Sequence, residues 1–275
     1  HGQGVQAVRA ASHSPVGITL NLGYHTPASD HELDVLAARI GDGGLNRLYL
    51  DPVFKGSYPD DVFALMGQHA KGGPQSLAAL VHDGDLEAIS RPVDFLGVNY
   101  YSTSVMAHRS RLDEAKRNGY LVPVDEAGDS NSPFGVKQVL RPELERTATG
   151  WEVDPGGLTK LLVRLGTEYT KKPIYITENG CAQHDYRGPD GAVHDPRRIA
   201  YLESHTRAVK AAIDQGVDVG GYFVWSLMDN FEWAMGYSMR FGITYVDYPT
   251  GERVPKDSYR WYRDLVRANG ATPPA

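Results

Sequence analysis

Glu178 is placed where a carboxylate can do chemistry. It closes the run Ile174-Tyr175-Ile176-Thr177, which Pro173 precedes and Asn179-Gly180 follows. A short apolar, β-branched and aromatic run bounded in this way reads as a buried strand that stops abruptly. An acid at its end is unfavourable unless it opens into a cleft or takes hydrogen bonds. The alternative is a surface turn in which Asn179-Gly180 makes a hairpin and Glu178 is merely solvated. Residues 181–188 are polar and glycine-containing and offer no returning strand, which weighs against the hairpin.

Three other apolar runs end in residues of the same kind. Val16–Leu22 finishes near Asn21, and Val93–Tyr100 at Asn99-Tyr100-Tyr101. Gly221–Ser226 contains Trp225 and leads into Asp229-Asn230-Phe231-Glu232-Trp233. Strand alternation puts Asn99 and Tyr101 on one side. Each residue alone has a plainer explanation: Trp225 a core aromatic, Tyr101 a strand-end phenol reaching water, Glu232 a solvated acid at a helix start, Asp229 a helix cap. Together they bring a carboxylate, a phenol, an amide, a second carboxylate and two tryptophans to the ends of successive strands. That inventory suits a sugar, whose C–H faces stack on rings and whose hydroxyls bond to carboxylates and amides.

The elements that must position these residues alternate. Val5, Val8 and Ala11 predict a helix over 2–12, ahead of the first strand, and Gly23–Pro27 reads as the loop leaving that strand. Ser29 and Glu32 have capping-box spacing before Leu33, Leu36, Ala37 and Ile40, and Gly41–Gly44 ends that helix. Asp51–Pro59 reads as an ordered loop, and Asp61–Met66 resumes a helix. The stretch 102–155 is too long for a plain loop and is expected to hold short strands or turns, notably at Leu121-Val122-Pro123-Val124. Leu158, Leu161, Leu162 and Leu165 mark a helix, and Asp195 with Pro196 starts another that Gly216 ends. A hairpin over Ile243–Tyr248, turning at Thr250-Gly251, precedes a last helix from Asp257.

Strands alternating with helices predict a parallel sheet with helices on its faces, whose ligand site lies beyond the carboxyl ends of the strands. At 275 residues the chain is long enough for a (β/α)₈ barrel, yet only about four strand–helix units with long loops are countable. The expected fold is therefore α/β, half of a TIM barrel, with residues 1–275 a single partial domain. Its two open edges are expected to promote self-association. A hydrophobic fraction of 41% and a formal charge of −6 describe an ordinary globular chain and give no support to a nucleic-acid or membrane-surface role. No apolar run is long enough to span a membrane. The single cysteine, Cys181, excludes an internal disulfide and suits a reducing, cytoplasmic setting.

Tyr175-Ile176-Thr177-Glu178-Asn179-Gly180 resembles the nucleophile motif of glycoside hydrolase family 1, the β-glucosidase family. Asn99-Tyr100-Tyr101-Ser102, the run Tyr222–Trp233, Gly236-Tyr237 and Arg240-Phe241-Gly242 resemble it too, as do Asp51–Gly56 and Gly150-Trp151-Glu152-Val153, all in the family's order. The resemblance implies a retaining double displacement in which Glu178 forms a covalent glycosyl-enzyme. It implies that Tyr101 hydrogen-bonds the nucleophile, that Glu232 and Trp233 bind the outer hydroxyls of the non-reducing sugar, and that Trp225 is the platform beneath it. Trp151 would line the leaving-group side, with Asn99 and Phe241 among the sugar-binding residues. A β-glucoside or cello-oligosaccharide is the implied substrate, unphosphorylated because Glu232 would repel a phosphate, with glucose, galactose and fucose left open. No metal or organic cofactor is implied.

The family's general acid/base lies in an Asn-Glu-Pro motif that this sequence does not contain. His1-Gly2-Gln3-Gly4-Val5 resembles the helix just after that motif, so the chain is expected to be the C-terminal portion of the barrel, to need its first half as a partner, and to have little activity alone. The competing expectation is a noncatalytic sugar-binding or assembly module of the same descent.

Overall fold

The computed structural model describes residues 1–123 and 134–270. Helix α1 (Gly2–Ala11) comes first, followed by strands β1 (Gly17–Asn21) and β2 (Tyr24–Pro27). Helices α2 (Glu32–Asp42), α3 (Leu48–Phe54), α4 (Asp60–His69), α5 (Gly73–Ala78) and α6 (Asp85–Ile89) lead to β3 (Phe95–Asn99) and β4 (Thr103–His108). Beyond α7 (Leu112–Arg117) and β5 (Val136–Val139) lie α8 (Pro155–Glu168), β6 (Ile174–Asn179), α9 (Pro196–Asp214) and β7 (Val219–Val224). The short strands β8 (Thr244–Val246) and β9 (Arg253–Pro255) precede α10 (Asp257–Arg267).

The four anticipated strands form one parallel sheet in the order β1-β3-β6-β7. Its inward residues Leu96, Val98, Ile174 and Ile176 are buried against Leu158, Leu161, Leu162 and Leu165 of α8 and Val209 and Ala212 of α9. Each apolar helix face thus repeats at 3.6 residues over the apolar face of the sheet, which fixes strand depth. Asn99 pairs with Glu178 across β3 and β6. Strands β8 and β9 make the expected antiparallel hairpin.

Five local expectations are corrected. Residues 24–27 are a strand, because β2 pairs in parallel with β4, and β4 pairs with β5 to make a second sheet above the first. That partner is 79 residues away, so nothing local announces it. The capping box does not form: His31 Nδ1 accepts from the Leu33 amide at 3.2 Å, while the Ser29 hydroxyl donates to Asp34 at 2.5 Å. The helix does not end at Gly41–Gly44 but runs through a π-turn at Gly43–Arg47 into α3, so residues 51–54 are helical rather than loop. Buried Asn46 in that turn accepts from the Gly23 amide and donates to its carbonyl, an anchor that a helix end would lose. Asp195 is the N-cap residue before Pro196, as expected, but its carboxylate makes no cap bond and is taken by Arg198 and Ser258 instead. In the expected 121–124 strand, Leu121 bridges Leu140, and Val124 lies outside the described residues.

Candidate active site

Asn179 extends β6 rather than turning it, so the hairpin alternative fails. The Glu178 carbonyl accepts from the Tyr100 amide at 3.0 Å, and the Asn179 carbonyl accepts from the Trp225 amide at 3.0 Å. β6 is thereby stitched to the segments following β3 and β7. Gly180 permits the second stitch: a Cβ there would lie 1.9 Å from the Trp225 carbonyl oxygen. A side chain of any size is excluded where the two strand ends meet.

The Tyr101 hydroxyl donates to Glu178 Oε2 at 2.5 Å. Burial, then the bond to Glu178, hold the phenol well above its ordinary range, so it stays protonated as donor. Among the described residues this is the only side-chain hydrogen bond to the Glu178 carboxylate. The Tyr101 ring centroid lies 5.2 Å from Trp151 and 6.2 Å from Phe241, and those two are 6.1 Å apart. Trp151 is placed by its neighbour: Glu152 is fully buried and accepts from Arg141 Nη2 at 2.8 Å, while Arg141 also holds Asp154 at 2.8 Å. Asn99 Oδ1 accepts from Thr177 at 2.6 Å, so its amide nitrogen is the end turned to other work.

Glu232 and Trp225 come from the loop after β7. The Glu232 carboxyl is pushed above the usual carboxylate range, first by burial and then by the Glu178 charge, against the Trp225 indole that bonds it. The Glu178 charge thus reaches Glu232, so the two carboxylates belong to one neighbourhood. The loop is pinned by Asp229, which is no helix cap but a buried counter-ion: Lys256 reaches it at 2.9 Å, Arg240 at 2.6 Å and the Gly242 amide at 3.0 Å. Lys256 and Arg198 are themselves fully buried and share Asp185, at 2.5 and 2.7 Å. Burial works to raise the Asp185 carboxyl, but Arg198 and Lys256 outweigh it and hold it below the usual range. Trp225 precedes Ser226 through a cis peptide bond.

Trp233 stands apart. It sits on a short 3₁₀ turn with φ of 41° and is 81% exposed, and among the described residues it makes no ring contact with Tyr101, Trp151 or Phe241. The other six expected residues gather around Glu178 or lie on the segments stitched to it. Sequence reasoning missed the buried groups that hold them: Tyr201, Tyr222, Arg198, Lys256 and Asp185. A groove of about 900 Å³ between α9, β7 and α10 lies behind the sheet, so volume is not what identifies this site. No cluster of metal-binding side chains occurs among the described residues.

Residues 1–271 match the model of glycosyl hydrolase family 1. The chain belongs to that family. It is 41% identical over 274 residues to the 1,4-β-D-glucan glucohydrolase of Thermotoga neapolitana, covering 99% of this chain and 55% of the relative. The psychrophilic β-glucosidase of Micrococcus antarcticus superposes with a TM-score of 0.84 at 43% identity, covering 98% of this chain and 57% of that one. The family 1 β-glucosidase of Exiguobacterium antarcticum gives a TM-score of 0.84 at 38% identity, with 99% and 56% covered. This family 1 chain spans about half the length of the curated relatives it matches, and its four β/α units are part of a (β/α)₈ barrel. No helix among its described residues is long and apolar enough to cross a membrane.

Proposed function

We infer that the chain carries the nucleophile of a retaining β-glucosidase and that Glu178 forms the glycosyl ester. The observation that carries this reading is the Tyr101 hydroxyl at 2.5 Å from a carboxylate ending a parallel strand. Glu178 attacks the anomeric carbon, the bond to the leaving oxygen breaks with its electron pair going to that oxygen, and water later hydrolyses the ester. Tyr101 holds the attacking carboxylate in line, Trp225 lies beneath the sugar, Glu232 and Trp233 take its outer hydroxyls, Asn99 and Phe241 flank it, and Trp151 lines the leaving-group side.

The substrate class is an unphosphorylated β-glucoside or cello-oligosaccharide, as Glu232 repels a phosphate. Family membership implies that the leaving oxygen is protonated by the glutamate of an Asn-Glu-Pro motif, which this sequence does not contain, in the other half of the barrel. General acid catalysis contributes about 10²–10⁴-fold, so the chain alone turns over natural glucosides slowly. Residues 1–275 act as one partial domain. Cys181, a free and buried thiol pushed up by burial to about 11, fits a cytoplasmic protein.

The test is covalent trapping with a fluoroglucoside bearing a dinitrophenolate leaving group, which needs no protonation. Mass spectrometry should find one fluoroglucosyl group on the peptide holding Glu178, and none in Glu178→Gln. A wild-type chain that binds the sugar but never forms the ester would establish the noncatalytic module instead.

A further inference from the structure

Tyr101 lies two residues beyond the last ladder pair of β3, where no strand neighbour holds it. Its phenol is a long lever: a shift at the backbone carries through to the hydroxyl. What holds the backbone there is a chain of buried neutral groups. The Tyr201 hydroxyl, on α9, donates to the Tyr101 carbonyl at 3.2 Å and accepts from Asn179 Nδ2 at 3.1 Å. Asn179 Nδ2 also donates to the Tyr100 carbonyl at 2.7 Å, and Asn179 Oδ1 accepts from the Tyr222 hydroxyl at 2.6 Å. Both side-chain polar atoms of Asn179 are thereby used, and Asn179 is the residue next to Glu178.

Tyr201 is built into its place. It is 2% exposed, and its ring stacks on His205 with centroids 3.8 Å apart and planes 17° from parallel. His205 Nδ1 in turn bonds the Tyr201 carbonyl at 2.8 Å. One hydroxyl therefore joins the backbone of the donor residue to the side chain beside the acceptor residue. A ring filling a core position would need no hydroxyl; a hydroxyl that bridges both sides of the Tyr101–Glu178 bond has a reason to be there.

We propose that Tyr201 is a positioning residue for the nucleophile, setting the separation of the Tyr101 hydroxyl from Glu178 through the Tyr101 carbonyl and Asn179. The proposal rests on Glu178 being the nucleophile. It extends that role to a helix whose side chains touch no substrate.

The experiment compares Tyr201→Phe with Tyr262→Phe in the full chain. Tyr262 also loses a part-buried hydroxyl bond, to the Tyr222 carbonyl at 2.9 Å, and makes no side-chain hydrogen bond to Tyr101 or Asn179 among the described residues. The first readout is the hydroxyl proton of Tyr101 by NMR, assigned by its disappearance in Tyr101→Phe; a bond this short shifts that resonance downfield. In Tyr201→Phe it should move upfield or exchange away, and in Tyr262→Phe it should stay. The second readout is fluoroglucoside trapping, where Tyr201→Phe should lower the rate of the covalent step by up to about a hundredfold with sugar affinity kept. An unchanged resonance and an unchanged covalent rate in folded Tyr201→Phe overturn the proposal, as does an equal effect in Tyr262→Phe. Should Tyr201→Phe not fold, Tyr222→Phe cuts the same chain at Asn179 Oδ1 and is judged by the same two readouts. A wild type that forms no ester while its resonance depends on Tyr201 overturns the nucleophile reading alone.

Discussion

The strand end that carries Glu178 and the loop that carries Trp225 and Glu232 meet at one site but are fixed by different chemistry. Around Glu178 the anchors are neutral: the hydroxyls of Tyr101, Tyr201 and Tyr222 and the amide of Asn179. Around the loop they are ions: Asp229, Asp185 and Asp195 against Lys256, Arg198 and Arg240. Among the described residues, the Glu178 strand end is held by hydrogen-bond geometry and the loop by charge. The loop's ions need only be complete, since a buried pair is tolerated and a buried widow is not.

The largest expected effect follows from that completeness. Arg198→Met strands the buried Asp195, leaves Asp185 to Lys256 alone, and should cost about 3–5 kcal/mol in urea unfolding. A loss below about 1 kcal/mol would show that the buried ions are not a unit and would break the comparison. The acid response comes next. Burial pushes His205, beneath Tyr201, down to about 4, so its imidazole is neutral in the fold. A depressed histidine contributes stability that is present above its unfolded value near 6.5 and lost as pH falls toward 4, on the order of 2–3 kcal/mol. Asp185, being depressed, keeps its contribution until pH falls below the ordinary carboxylate range near 4. Hydrogen exchange after pH jumps should therefore loosen residues 174–180 at mild acidity and residues 225–246 only below it. His205→Asn should remove the first phase and leave the second.

Smaller again, Tyr222→Phe leaves Asn179 Oδ1 unpaired and should cost about 1–3 kcal/mol by the same unfolding measurement. As a yardstick for both arms, Arg207→Ala, which breaks an exposed pair with Glu203 at 2.7 Å, should change stability by less than about 0.5 kcal/mol.

The legible part of the molecule was the part specified by neighbours in sequence. Glu178 and Tyr101 stand at the ends of apolar runs bounded by Pro, Asn and Gly, so the strands and the contact between their ends are legible together. Tyr201 was not, because on α9 it has the spacing of any core aromatic, and its hydroxyl acquires partners only once α9 crosses the ends of β3 and β6. Arg198 and Lys256 look like solvated charges near helix starts; Lys256 finds Asp185 from 71 residues away. Strand β2 escaped for the same reason. Trp233, expected beside Glu232 at the outer hydroxyls of a sugar, is 81% exposed on its short 3₁₀ turn.

Gly180 has one more implication. With the Trp225 carbonyl where its side chain would begin, the segments carrying Glu178 and Trp225 share a joint with no room for a side chain. On the function proposed above, a bulkier sugar cannot be admitted by separating these two segments. Accommodation has to be found in the outlying loops, and a library aimed at new substrates should randomise those and leave the joint alone.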